Sequence, residues 1–245
     1  MTQQSQSACN GRVTRELSVE SLLPWQMVTL GSGLMLQASC LDLRSEAAAL
    51  QAEFAAADAA VGPAGRAFLA SDGSWSTMAL VQRSRLGVLA AGLPTPNLEH
   101  MPSVAALLSR SNWTVVGCHL VRQPPHGTLP WHFEDQAPYS QESRLLVPIH
   151  APDGAETLIG HESVAYPAGM GWTGDFNFPH QVENPTESQR IILIVDVVSG
   201  PEVRRLLPPA LMDKLPLRRA LAGEARNRLL QWRASRSEPG FSAPY

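Results

Sequence analysis

The sequence predicts a mainly β fold with flanking helices, built around an antiparallel barrel or double-sheet jelly roll. Three observations predict it. After Asn112 come short runs of β-type composition: "WTVVGCHLVRQ", "RLLVPIHA", "ETLIGHESVAY", "GWTGDFNF" and "RIILIVDVV". Turn material such as "PDG" and "PAGMG" separates them, at the close spacing of an all-β double sheet. On both sides of this block the apolar residues recur at helical intervals instead.

In chain order, the first dozen residues are polar and are expected to fray. Leu41 to Ala60 is rich in Ala, Leu and Glu and is followed by Gly and Pro, which predicts a helix. Ser74 to Arg83 reads as extended, and Met101 to Ser111 as a short helix with Pro in its first turn. "PPALMDKLPLRRALAGEARNRLLQWRA" carries Pro at its start and again at 216, which predicts two helices packing across the sheet, with a disordered tail beyond Ser235. The whole is read as one domain, 1–245. Residues 1–110 shape a substrate pocket, 111–200 form the β core, and 201–245 supply the C-terminal helices and tail.

The bulk numbers exclude several functions. A net charge of −3 with 17% charged residues argues against a broad electrostatic grip on nucleic acid or anionic lipid. The three cysteines, Cys9, Cys40 and Cys118, are too few and too scattered for a disulfide framework, so a reducing, cytoplasmic setting is expected. "LLPWQMVTLGSGLMLQASCL" is broken by Pro, Gln and Gly short of the ~20 apolar residues of a membrane span. A small-molecule partner fits better, with oligomeric state left open.

"WHFED" carries the chemistry. In an extended segment, side chains at i and i+2 share a face, so His132 and Glu134 project together. A small twist would present Asp135 instead; parity favours Glu134. Two imidazoles and one carboxylate form the set that binds non-haem Fe(II) while leaving positions open, and His180 is the candidate second imidazole. Taken singly, a loop histidine next to Glu and Asp is more often a solvated turn. After His180, however, "HQVENPTESQR" followed by "RIILIVDVV" reads as a hairpin turning near Pro185. That pairing sets Arg190 opposite His180, roughly 5 Å away at Cβ. A short dicarboxylate could then chelate the metal at one end and pair with the guanidinium fork at the other.

The span from Val115 to Val198 resembles the aspartyl/asparaginyl β-hydroxylase family, including its free-amino-acid proline hydroxylases. The resemblance lies in "PPHGTLPWHFED", "SQESRLLVPIHAPDG", "PAGMGWTGDFNFPHQVEN" and "RIILIVDVV". It implies a cupin-like double-stranded β-helix that uses Fe(II), 2-oxoglutarate and dioxygen to hydroxylate an unactivated C–H bond of a small or carrier-linked amino-acid substrate. Carried over by position, it implies His132, Glu134 and His180 as iron ligands and Arg190 on the distal carboxylate of 2-oxoglutarate. It also implies that Arg144 binds a carboxylate of substrate or cosubstrate. The sequence departs from the family in having Glu134 where its free-amino-acid hydroxylases carry Asp. It departs again at Leu146, where a polar residue is usual, so Gln123 is a candidate replacement contact. The first 110 residues match nothing recognisable.

The remaining candidates have ordinary readings beside the functional ones. Trp131, Trp172 and His126 flank the proposed site and could wall a substrate pocket, although buried aromatics fill any core and His126 sits between Pro and Gly in a turn. Asp175 either orients a ligand imidazole or caps a turn. Asn184 reads as stabilising the hairpin turn. His119 and His150 read as strand scaffold or surface, and His161 with Glu162 lacks a third ligand. Two rival functions share the barrel: a cupin-like metalloenzyme without 2-oxoglutarate, and a metal-free binding module in which "WHFED" is a surface loop.

Overall fold

The computed structural model describes residues 13–15, 17–61, 69–70, 75–87 and 89–236. The start expected to fray, Ser74 and, but for Arg236, the tail beyond Ser235 lie outside the described residues.

Among the described residues thirteen strands form two antiparallel sheets, so the jelly-roll expectation holds. They are β1 (Val13–Arg15), β2 (Gln37–Asp42), β3 (Leu69–Ala70), β4 (Ser76–Gln82), β5 (Leu93–Pro94), β6 (Val115–Gln123) and β7 (Thr128–His132), followed by β8 (Glu142–His150), β9 (Glu156–Ile159), β10 (Glu162–Ala165), β11 (Met170–Gly174), β12 (His180–Glu183) and β13 (Arg190–Val198). The larger sheet runs β2-β11-β8-β13-β6-β4-β3 with β5 also on β4, and the smaller runs β1-β10-β9-β12-β7.

Strand parity divides the central strands between two apolar layers. In β8, Leu145, Val147 and Ile149 point outward, as do Ile191, Leu193, Val195 and Val197 in β13. They meet Leu50 and Phe54 of helix α2 (Ala47–Val61) and Val104 of α3 (Pro102–Arg110). The alternate residues, Arg144 and Leu146 of β8 and Arg190, Ile192 and Ile194 of β13, line the space between the sheets. This two-sided burial is why "RLLVPIHA" and "RIILIVDVV" read as near-continuous apolar runs.

Three expectations are corrected. The helix expected from Leu41 begins at Ala47, because Leu41 and Asp42 are claimed by strand pairing with Gly171 and Met170. "ETLIGHESVAY" is two strands, β9 and β10, reversed through Gly160 at φ 52°. The hairpin between His180 and Arg190 does not form. β12 pairs with β7 and β9 in the smaller sheet, whereas β13 pairs with β6 and β8 in the larger one, so residues 184–189 cross between sheets. Asn184 fixes that crossing, donating to the carbonyls of Pro124 at 2.9 Å and Ser188 at 2.8 Å.

Helix α5 (Leu215–Ser235), with Pro216 in its first turn, closes one end of the barrel through Ala222, Ala225 and Leu229, against Trp25, Trp172 and Phe178. The short segment before it, Pro209–Met212, is 3-10. At the α5 seam the fully buried Arg218 donates to Asp175 at 3.1 Å and to the carbonyls of Met35 and Ala210. Truncating one member of such a pair strands the other charge. Asp175→Ala is therefore expected to destabilise the fold by about 3–5 kcal/mol, measured from urea denaturation. A loss below about 1 kcal/mol would contradict this account. Among the described residues, no helix is long and apolar enough to cross a membrane.

Candidate metal centre and anion pocket

His132 ends β7 and His180 begins β12, and the antiparallel register sets them directly opposite each other, with ring centroids 4.1 Å apart. Each ring is oriented from behind. Nδ1 of His132 lies 2.7 Å from the Pro130 carbonyl and Nδ1 of His180 lies 3.1 Å from that of Phe178. A carbonyl can only accept, so each Nδ1 carries the hydrogen and each Nε2 keeps a lone pair for a metal. Burial holds both imidazoles below the usual histidine range, and the proximity of His132 lowers His180 further, so both are neutral at physiological pH.

Glu134 stands two residues past β7, where its backbone N–H donates to the Phe176 carbonyl at 2.9 Å. One carboxylate oxygen comes within 3.8 Å of Nε2 of His180. The donor atoms of His132, Glu134 and His180 all lie within 4.8 Å of one another. Neutral nitrogen donors and a nearly buried carboxylate, converging this closely, fit a divalent transition metal. Asp135, the alternative acid, is turned to solvent with its side chain 97% exposed.

The trio opens into a largely apolar cavity of about 90 Å³ between the sheets, shared with Arg190, Arg144, Gln123, His119 and Trp75. Arg190 is buried, and its Nη2 donates to the Thr157 hydroxyl at 3.0 Å; among the described residues it has no carboxylate partner. Burial lowers it only to about 10, so it stays cationic at neutral pH. Gln123 lies beside it in register. The Gln123 amide hydrogens are committed to the carbonyls of Gly127 and Val182, at 2.8 and 3.2 Å, and among the described residues Oε1 has no partner. The buried indole N–H of Trp75 likewise has none among the described residues.

Arg144 faces the same cavity but is already engaged, by Asp196 through two hydrogen bonds and by Glu134 through Nη1. His119, read from sequence as scaffold, also faces in; burial, aided by the Arg144 charge, lowers it to about 4. Its parity with Gln123, four residues along β6, was the available signal. Trp75 and Thr157 carried no signal of their own, because their value depends on strands far away in sequence.

Three expected pocket residues, Trp131, Trp172 and His126, are not among the residues lining the cavity. Trp172 is buried, stacked on Tyr166 at 4.9 Å. Trp131 packs edge-on to Trp25 at 5.5 Å. His126 occupies a turn at φ 57°, with its mostly exposed side chain 3.1 Å from Glu187. Asp175 does not touch either ligand imidazole, whose Nδ1 partners are carbonyls; it serves Arg218 and accepts from Tyr139 at 3.3 Å.

The fold is a cupin-like double sheet, and the family match makes the chain an enzyme of the hydroxylase class. A family model described as aspartyl/asparaginyl beta-hydroxylase matches residues 37–199, and the chain belongs to that family. The match reaches back into the N-terminal region that the sequence reading left unplaced. No curated protein sequence matches the chain. Among solved structures, it is similar to a prolyl-4-hydroxylase from Pseudomonas putida (13% identity, covering 72% of this chain and 99% of that one, TM-score 0.42). It is also similar to AviO1 from Streptomyces viridochromogenes Tue57 (14%, 68% and 90%, 0.42). A third is a 2OG-Fe(II) oxygenase family protein from Burkholderia pseudomallei (15%, 51% and 68%, 0.40).

Proposed function

We propose that the protein is an Fe(II)- and 2-oxoglutarate-dependent dioxygenase that hydroxylates an unactivated C–H bond of a small amino-acid-like substrate, free or linked to a carrier or peptide. One observation carries this reading: the donor trio and a buried guanidinium with no carboxylate partner among the described residues open into one cavity. A desolvated cation without a counter-ion is costly, and a ligand carboxylate offsets that cost with charge-assisted, bidentate hydrogen bonds.

His132, Glu134 and His180 would hold the iron, and Arg190 with Thr157 would bind the distal carboxylate of 2-oxoglutarate. With the keto acid, bound iron supplies dioxygen activation coupled to decarboxylation to succinate. The chain contributes position and exclusion of water: Phe176, Leu146 and Ile192 keep the cavity apolar around the polar groups. Gln123 presents an acceptor, which suits a hydroxyl, water or ammonium rather than a carboxylate.

Trp75 lines the same cavity, one residue before β4, whose Ser76 is registered with Arg122, the neighbour of Gln123 on β6. Among the described residues its indole N–H has no acceptor. Trp75→Phe is expected to raise the 2-oxoglutarate KM about tenfold, the ~1.5 kcal/mol of a hydrogen bond to a charged group. An unchanged KM would remove Trp75 from the subsite.

The reading is tested by incubating the protein with Fe(II), ascorbate, 2-oxoglutarate and a panel of amino acids and their carrier- or peptide-linked derivatives, with mass spectrometry of products. Succinate formed in step with a hydroxylated product is expected. Product formed equally well without 2-oxoglutarate would overturn the reading in favour of a metalloenzyme that does not use it.

A further inference from the structure

We propose that Asp196 is a positioning residue for the metal-binding carboxylate: it fixes the Arg144 guanidinium so that the free end holds Glu134 Oε2 in place beside the two imidazoles. The proposal rests on the reading of His132, Glu134 and His180 as metal ligands.

Asp196 and Arg144 are registered partners on β13 and β8, both facing the barrel interior. Arg144 Nε donates to Asp196 Oδ1 at 2.8 Å and Nη2 to Oδ2 at 3.1 Å, the two-point grip that fixes a planar guanidinium in rotation as well as position. The orientation so imposed turns Nη1 to Glu134 Oε2. The same oxygen lies 3.8 Å from Nε2 of His180, so the grip sets the position of the oxygen that faces the imidazoles.

The grip is braced from outside. Arg83 Nη2 donates to Asp196 Oδ2 at 3.0 Å, and both of its terminal nitrogens hold Glu142 at 3.0 and 2.8 Å. Asp196 and Arg144 are 1% and 7% exposed, whereas the Arg83 side chain is 34% exposed, so the chain of ions runs from the surface to the cavity. It holds three carboxylates and two guanidinium groups. Its net charge is −1, which a cation bound at Glu134 would neutralise.

The arrangement answers a particular need of this sequence. Glu134 has one more methylene than Asp and sits past the end of β7, so its carboxylate has more rotamers to lose on binding a metal. Holding one oxygen removes that freedom beforehand.

The test is Co(II) affinity, read by its absorption bands, in variants checked for folding by circular dichroism. Asp196→Asn is expected to weaken Co(II) binding at least about tenfold, the lower range for groups that orient ligands from behind. In a Glu134→Ala background, Asp196→Asn is expected to change affinity by no more than about twofold, because the carboxylate through which it acts is gone. Wild-type affinity in Asp196→Asn, or equal losses in both backgrounds, would overturn the proposal. Should Asp196→Asn not fold, Arg144→Lys, which keeps the charge but loses the fork, carries the same expectation and the same refutation. Co(II) binding that survives His132→Ala undiminished would instead sink the underlying metal reading.

Discussion

Replacing His180 by alanine is expected to lower Fe(II) or Co(II) affinity by at least about 100-fold, and turnover with it, while the protein stays folded. One of three donors is lost, and the loss exceeds the 10–100-fold typical of groups that only orient a ligand. The remaining donors, His132 and Glu134, cannot close the set, because Asp135 points to solvent and no other described His, Cys, Asp or Glu joins the group. The fold tolerates the change because the ring contributes no strand pairing; it packs on Phe176 at 5.1 Å and meets one carbonyl. A second readout separates the site from the scaffold. The folded-state pKa of His180 is depressed, so the unfolded chain takes up a proton near 6.5 that the folded protein refuses. Metal-free wild type therefore loses stability as pH falls through about 6.5, and His180→Ala loses less. Full metal content in the variant would end the proposal.

The second large effect is at Arg190. Arg190→Met is expected to raise the 2-oxoglutarate requirement by roughly 30-fold or more, since removing one partner of a buried charge pair costs about 2–5 kcal/mol. Metal affinity should stay within about twofold, because the ligands lie on other strands and do not share its hydrogen bonds. The same substitution should not destabilise the ligand-free protein, and the expectation is a melting temperature equal to or above wild type. A desolvated guanidinium bonded, among the described residues, to Thr157 alone is being exchanged for an apolar side chain of similar length, and such exchanges are commonly neutral or stabilising. Comparable losses in metal and keto-acid binding, or a sharp fall in melting temperature, would mean that Arg190 serves the barrel rather than a ligand.

The sequence made the jelly-roll core legible because its strands are short, β-branched and punctuated by turns. It also offered His132, Glu134, His180 and Arg190 as candidates, the first two through i, i+2 parity alone. It placed Arg190 near His180 by the wrong route. The expected hairpin would put them on neighbouring strands, whereas they lie in facing sheets and meet across the interior. Tryptophans near the motif drew attention that their packing does not support, since Trp172 and Trp131 bury themselves against Tyr166 and Trp25.

By itself, then, the amino-acid sequence determined the strand alternation, the residue types able to bind a cation and a carboxylate, and the lack of a strong charge field for nucleic acid or membrane. Only the tertiary structure decided which polar groups face one another. It brought Trp75, His119 and Thr157 into the cavity, gave Arg144 to Glu134 and Asp196, and left Arg190 without a carboxylate among the described residues. The physical reason is that parity sets which face of a strand a side chain occupies, whereas its partner is set by strand order and by the apposition of two sheets. Both are governed by pairings between residues far apart along the chain.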